Sequence, residues 1–475
     1  MGKLNIYPER VFEIFEEICS IPHGSYNTGA LSSWLLDFAK ARGIEAVRDA
    51  AGNVVMKKPA SAGRESAQPV ILQGHIDMVC EKDSSCALDM DRQGVEPYID
   101  GEYVRARGTT LGADNGIAVA YALAVLESDT IPHPPLEAVF TADEEVGMLG
   151  AVALDMSGLR GRRLINIDTG EEGKLTVGCA GGAAIRCVFP IKRRAIERTE
   201  VKLSVAGCAG GHSGSMIVNG GANADIVLAR LLAALSEDAE IVSVSGGGKD
   251  NAIPREAQAV VAAEDVAPVL RITEAIDAEI RSEFAGTDPD IAVRAEPGGL
   301  RELEIIDAPY ADRIVAFLTS APNGLQSLIP GTRNAQTSLN LGILVTGEDS
   351  VAATYLLRSC VGSEKEALRG RLEELCGRFG GEPELLSSYP EWEFDPDSAL
   401  RGVMTEIYTD LFGREPEVEV IHGGLECGLF SKKLPGLDIV ACGPDILGAH
   451  TPLERLDIAS AGRVWEYLLK ILEKL

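Results

Sequence analysis

An α/β fold interrupted by an α+β segment is what this sequence predicts, on three observations. Through the first 185 residues apolar runs alternate with helical patterns, and from about residue 186 the strands alternate strictly. Near residue 390 the mixture of helix and buried strand returns. Strand and helix alternation predicts a largely parallel sheet covered by helices. The chain therefore reads as one discontinuous domain, residues 1–185 and 390–475, with a second domain inserted at 186–389.

Each element has its own local reason. VFEIFEEICSI and LSSWLLDFAKARG space their apolar residues three and four apart, as amphipathic helices do, and Gly43 closes the second. PVILQGHID begins as a buried strand, and PLEAVF and RRLINID are further strands. NGIAVAYALAVLES is apolar almost throughout, so it predicts a helix covered on several sides. In the insertion, TEVKLSVAG, AEIVSVSG, DIAVRAEP and QTSLNLGIL predict half-exposed strands. ADIVLARLLAALS, VLRITEAIDAEIRSEF and EKEALRGRLEELCGRF predict the helices between them. After YPEWEFDPDSAL come a helix (LRGVMTEIYTDLFG), a buried strand (LDIVACG) and a last helix (ASAGRVWEYLLKILEKL).

Composition narrows the function. The 475 residues carry 44 Lys and Arg against 72 Asp and Glu, a net charge of −28. Nucleic acid and anionic membrane surfaces need a basic footprint, so neither is expected as a partner. The N-terminal stretch has no continuous apolar segment of a secretory signal, and no run is long enough to span a bilayer. Ten cysteines stand scattered without a CxxC pair, which reads as reduced thiols of a cytoplasmic protein.

The chemistry collects at strand ends. His75 ends PVILQGH, with Asp77 two residues on; Asp114 sits in GTTLGADNG before a helix; Glu144 and Glu145 follow LEAVF; Asp168 ends RRLINI; His450 follows LDIVACG and its loop. In a parallel sheet these five segments finish at one edge, where open α/β folds carry their sites. Taken singly, Asp114 reads as a helix cap, His75 as a satisfied core histidine, Asp168 as a turn residue and Asp143–Glu145 as a solvated turn. Together they make an imidazole and carboxylate set suited to zinc, manganese or cobalt. HExxH and the phosphate-binding GxxxxGK[ST] are absent, and GHSGS at 211–215 misses GxSxG by its last residue.

LQGHIDMVCEK, GTTLGADNGIAVA, TADEEVGMLGA, INIDTGEEG, GGHSG, GGLECGLF and AHTPLER occur in this order. Together they resemble the aminoacyl-histidine dipeptidases, also called cytosol non-specific dipeptidases or peptidase D. These are relatives of aminoacylase and carnosinase among the co-catalytic zinc exopeptidases. The resemblance extends from VFEIFEEICSIPHGS to the last helix. It implies a zinc-exopeptidase-like domain with an inserted α+β lid, two divalent metal ions and hydrolysis of dipeptides, Xaa-His among them. On that resemblance His75 and Asp168 hold one ion, Glu145 and His450 the other, and Asp114 bridges them. Asp77 receives the second ring N–H of His75, and the Asp114–Asn115 peptide is cis. Glu144 is the general base toward a metal-bridging hydroxide and then the acid. His212, on the lid, donates to the oxyanion.

Other assignments are open at this level. Arg358 and Asn340 read either as clamps for the substrate carboxylate or as strand-end surface residues, and Glu426 as a partner for the free amine. His422 and Asp143 carry no assigned role. The segment departs from the family pattern at Gln336, where Glu is usual, and at Glu391, Glu393 and Phe394. These departures bear on substrate preference and lid contacts. An aminoacylase-like deacylase or a tripeptidase on the same scaffold is the nearest alternative, and a non-catalytic binding module is a remote one. A homodimer formed through the insertion is the expected assembly.

Overall fold

A computed structural model describes residues 4–475; the first three residues of the N-terminal stretch read for a signal lie outside it. The chain divides into two compact units. The first comprises Met1–Gly178, Phe394–Val420 and Leu425–Leu475, and the second Cys179–Glu393 with the four-residue strap Ile421–Gly424.

At the centre of the first unit four parallel strands lie side by side: Leu136–Thr141, Val70–His75, Arg163–Asn166 and Asp438–Ala441. Val70–His75 is buried at every position, as a strand covered on both faces must be. The eight-stranded sheet is mixed rather than wholly parallel. Its flank, Glu45–Arg48 and Val54–Lys58, adds antiparallel, and Lys174–Cys179 meets Asp438–Ala441 antiparallel. Glu45–Arg48 and Val54–Lys58 are short and only partly buried, so they lack the long apolar runs that mark the centre. In register, His75 stands opposite Thr141, and Gln73 opposite Asn166. The parallel strands thus all end at one edge.

The helix Ala113–Glu127 is buried continuously from Asn115 to Leu126. It packs so closely on the His75 strand that a Cβ at Gly74 would collide with Asn115 and Ala118. Phe12, Phe15 and Ile18 from the helix Glu9–Cys19, and Tyr121, Trp465 and Leu468, belong to the same core. Among the described residues no helix is long and apolar enough to cross a membrane, and all ten cysteines are free.

The second unit is an antiparallel nine-stranded sheet carrying the helices Ala224–Ala234, Val266–Glu283, Ala308–Ser320 and Gly362–Arg378. Val227, Leu231, Phe317, Tyr355 and Leu372 are among the residues of its core. One strand runs further than its sequence suggests. DIAVRAEP ends in a turn-like Pro-Gly-Gly, yet the strand continues from Ala292 to Ile306 beside Arg193–Ala206. A register shift between Thr199 and Val201 absorbs the irregularity, and residues 296–302 of the ribbon are largely exposed.

Candidate active site

Among the described residues three overlapping triads form where the parallel strands end. His75, Asp114 and Asp168 make one, Asp114, Glu145 and His450 a second, and His75, Glu144 and Glu145 a third, with ligand atoms in each within 4.8 Å of one another. His75 Nε2 lies 3.2 Å from Asp114 Oδ1 and 3.6 Å from Asp168 Oδ1. His450 Nε2 lies 3.3 Å from Asp114 Oδ2 and 2.8 Å from Glu145 Oε1. Asp114 therefore offers one oxygen to each of the first two triads. Its peptide bond to Asn115 is cis.

The donor set fits a pair of divalent cations. Imidazole nitrogens and carboxylate oxygens are the ligands that zinc, cobalt and manganese share. Glu145 Oε1 is buried and has no hydrogen-bond partner; His450 approaches it as an ion pair without hydrogen-bond geometry. A cation would satisfy such an oxygen.

The electrostatics follow from crowding. Burial pushes the Glu144 carboxyl well above the usual range; His75 opposes this, while Asp168, Glu426 and Glu145 add to it. Burial likewise raises Asp168. It would raise Asp114 too, but the adjacent His450 and His75 rings outweigh it and hold that group below the usual carboxylate range. His450 is pushed up to about 10 by Asp114 and Glu145. Burial disfavours the charged form of His75, yet Asp168 and Asp114 raise it well above its ordinary value. Carboxylates packed this way call for positive charge among them.

Several residues hold the cluster in shape. His75 Nδ1 lies 3.0 Å from the Asp77 main-chain oxygen and 3.4 Å from its carboxylate, so the ring N–H expected on the carboxylate has the carbonyl as its nearer acceptor. The Asp77 carboxylate has further work, accepting from the N–H groups of Glu144 (2.9 Å) and Glu145 (3.2 Å) and from Ser25 Oγ (2.8 Å). It thereby orients the acidic turn. Asp143, at a positive φ of 54°, accepts from the N–H of Tyr26, which gives it a structural role. Asn115 ties two strand ends together, accepting from the N–H of His75 and donating to the Ile167 carbonyl.

Glu454 went unnoticed in the sequence. Its buried carboxylate accepts from the successive N–H groups of Leu111, Gly112, Ala113 and Asp114 at 2.7–3.2 Å. It stands four residues beyond His450, so it fastens the Asp114 loop to the His450 segment. Its place in AHTPLER is the one signal that pointed there. Glu426 Oε2 accepts from Gln73 (2.6 Å) and Thr141 (2.7 Å), while Oε1 is buried without a partner. Burial pushes this carboxyl up to about 7.

His212, Arg358, Asn340 and His422 belong to the second unit. His212 is exposed, and its Nδ1 accepts from the N–H of Gly214 at 3.2 Å. Arg358 is 6% exposed; Nη1 donates to Tyr389 Oη at 2.9 Å, and Nε has no partner. Asn340 differs from the expected clamp. Its amide donates to the carbonyls of Asp250 (3.0 Å) and Ala252 (2.8 Å), and its oxygen lies 3.3 Å from Asn223 Nδ2. Its donors are already engaged in bracing a loop. His422 is buried, with Nε2 2.8 Å from Ser338 Oγ, and burial beside Arg358 lowers it to about 4.

The departures from the family pattern have local reasons. Gln336 Nε2 donates to Glu364 Oε1 at 2.7 Å, where a glutamate would set two carboxylates face to face. Glu391 pairs with Lys365 Nζ at 2.5 Å, and Glu393 accepts from the N–H of Gly362, the first residue of its helix. The two acids thus serve that helix start. The Phe394 ring lies under the Arg401 guanidinium, 4.9 Å from its centroid.

Comparison with known proteins extends these observations to the whole chain. Residues 71–474 match Peptidase family M20/M25/M40. The chain is 38% identical over 477 residues to the cytosol non-specific dipeptidase of Escherichia coli (strain K12), covering 98% of each. It is similar to the crystal structure of aminoacylhistidine dipeptidase from Vibrio alginolyticus, with a TM-score of 0.92 and 36% identity over 100% of this chain and 98% of that one. A tripeptidase from Staphylococcus aureus shares the fold alone, with a TM-score of 0.57 at 18% identity over 100% and 99% of the two chains. With the match running through the strand that ends in His75 and on past His450, the chain belongs to Peptidase family M20/M25/M40.

Proposed function

We propose that this protein is a metal-dependent dipeptidase of broad specificity, Xaa-His dipeptides included. The observation that carries the reading is the pair of triads sharing Asp114 beside the acidic turn. On this reading His75 and Asp168 hold one divalent ion, Glu145 and His450 the other, with zinc the first choice and cobalt or manganese the alternatives. Bound there, the two ions supply a polarised carbonyl and a water acidified toward neutral pH.

The chain's own groups do the rest. Glu144, its N–H fixed by Asp77, takes the proton of the attacking water and returns one to the leaving amine. Glu426 Oε1, buried without a partner, receives the substrate's free amine. Arg358, a buried guanidinium with no carboxylate in ion-pair distance among the described residues, receives the C-terminal carboxylate. His212 donates to the oxyanion. Asn340 acts one step back, bracing the loop at Asp250–Ala252.

Longer and blocked substrates would leave one of these charges unpaired, which is a basis for choosing dipeptides. In this reading the 186–389 insertion serves as lid and dimer contact. The free cysteines fit a cytoplasmic setting.

The test compares carnosine, Ala-His and Gly-Leu with N-acyl amino acids and tripeptides, using chelated protein and then restored metal. Cleavage of the unblocked dipeptides that depends on metal supports the reading. Preference for the acylated or longer substrates replaces it with a deacylase or a tripeptidase.

A further inference from the structure

Residues far apart in the chain form one row across the nine-stranded sheet. Ser338 pairs with Arg358, Arg358 with Gly182, and Gly182 with Tyr389. Directly opposed residues of antiparallel strands project from the same face, so these side chains share it. Gly182 leaves a gap in the row, and Tyr389 fills it. A Cβ at Gly182 would collide with the phenol ring. Tyr389 thus leans over the missing side chain and meets Arg358 Nη1 at 2.9 Å.

The strap Ile421–Gly424 lies along this row. His422 Nε2 is 2.8 Å from Ser338 Oγ at one end, and at the other a Cβ on Gly424 would come within 2.7 Å of the Tyr389 ring. Arg358 stands between the two contacts. A neutral phenol that accepts from Nη1 fixes the guanidinium without cancelling its charge, as a carboxylate in its place would. The edge carrying Nε, buried and unpartnered, remains for a two-pronged acceptor.

We propose that Tyr389 is the positioning residue that aims Arg358 at a main-chain carboxylate, with His422 a second, weaker guide acting through Ser338. This rests on the reading of Arg358 as the carboxylate receiver. Gly182 belongs to the same device, because any larger residue there displaces the phenol. Burial and the neighbouring Arg358 keep His422 uncharged near neutrality, so it adds no competing cation to the row.

The experiment uses the metal-loaded full chain and compares Gly-Leu with its C-terminal amide for the wild type, Arg358→Met, Tyr389→Phe and His422→Asn. The wild type is expected to favour the free acid, and Arg358→Met to lose that preference. Tyr389→Phe is expected to lower kcat/KM for the acid about tenfold, chiefly through KM, and to leave the amide unchanged. His422→Asn moves the same ratio by roughly twofold to fivefold. If Arg358→Met loses the preference while Tyr389→Phe keeps it, the positioning role is overturned and the Arg358 reading stands. Retention of the preference by Arg358→Met overturns both. Equal loss on acid and amide in Tyr389→Phe marks a general structural defect and also overturns the proposal.

Discussion

The cluster at the ends of the parallel strands and the row across the antiparallel sheet are electrostatic opposites. The first gathers four carboxylates and two imidazoles, with a Glu145 oxygen left unpartnered. The second buries one guanidinium, with a phenol, a hydroxyl and an uncharged imidazole near it. Neither is balanced by protein groups alone. Buried charge without a partner is costly, and a chain that retains it in two places points to partners from outside. The sheets differ in how they deliver it. Parallel strands bring side chains together at their ends, while antiparallel strands bring them together by register.

The contrast can be broken first at Glu144. Glu144→Gln should lower kcat by about 10²–10⁴-fold while metal content, read by elemental analysis, stays at the wild-type level. Loss of metal together with activity would make Glu144 a ligand instead of a base. Glu454→Ala should release the four N–H groups that hold the Asp114 loop and weaken metal affinity by roughly 10–100-fold in a chelator titration. Unchanged affinity would mean the loop keeps its shape without this anchor.

Asp225 sharpens the comparison from the side of the second unit. Both its carboxylate oxygens are buried without a partner, and burial pushes it up to about 8. A raised carboxyl contributes stability below its unfolded value near 4 and loses it as pH rises through about 8. Asp225→Asn should therefore stabilise the protein most above pH 8, by about 1–3 kcal/mol, raising Tm by roughly 2 °C or more. A Tm difference independent of pH would contradict that account. The smallest effect is expected for Gln336→Glu, which sets a second carboxylate against Glu364. It should lower Tm by about 1 °C near neutrality, the difference vanishing in acid.

The two regions were not equally legible. His75, Asp168 and the acidic turn could be read because apolar strands run straight into them, and polarity at such an end has few structural uses. The alternation of strands and helices outlined the fold, but the antiparallel pair Glu45–Arg48 and Val54–Lys58 escaped, being short and only partly buried. Tyr389 and Gly182 gave no local sign of one another, since their pairing is a matter of register between distant segments. Asn340 looked available for a ligand because a sequence does not reveal which donors a neighbouring loop already uses. His422 stood beside Glu426 in the chain, yet it belongs to the other unit.

That last fact has a genetic consequence. An insertion bounded by two junctions can be exchanged between relatives as a single cassette. Here the strap Ile421–Gly424 belongs with Cys179–Glu393, so the chain passes between its units four times instead of two. A recombinant that imports the large segment alone would lay a foreign sheet against the resident strap, with Ser338 and Tyr389 replaced and His422 and Gly424 kept. Viable chimaeras should therefore carry both pieces from one parent, making a tetrapeptide separated from Glu393 by 27 codons part of the same heritable unit.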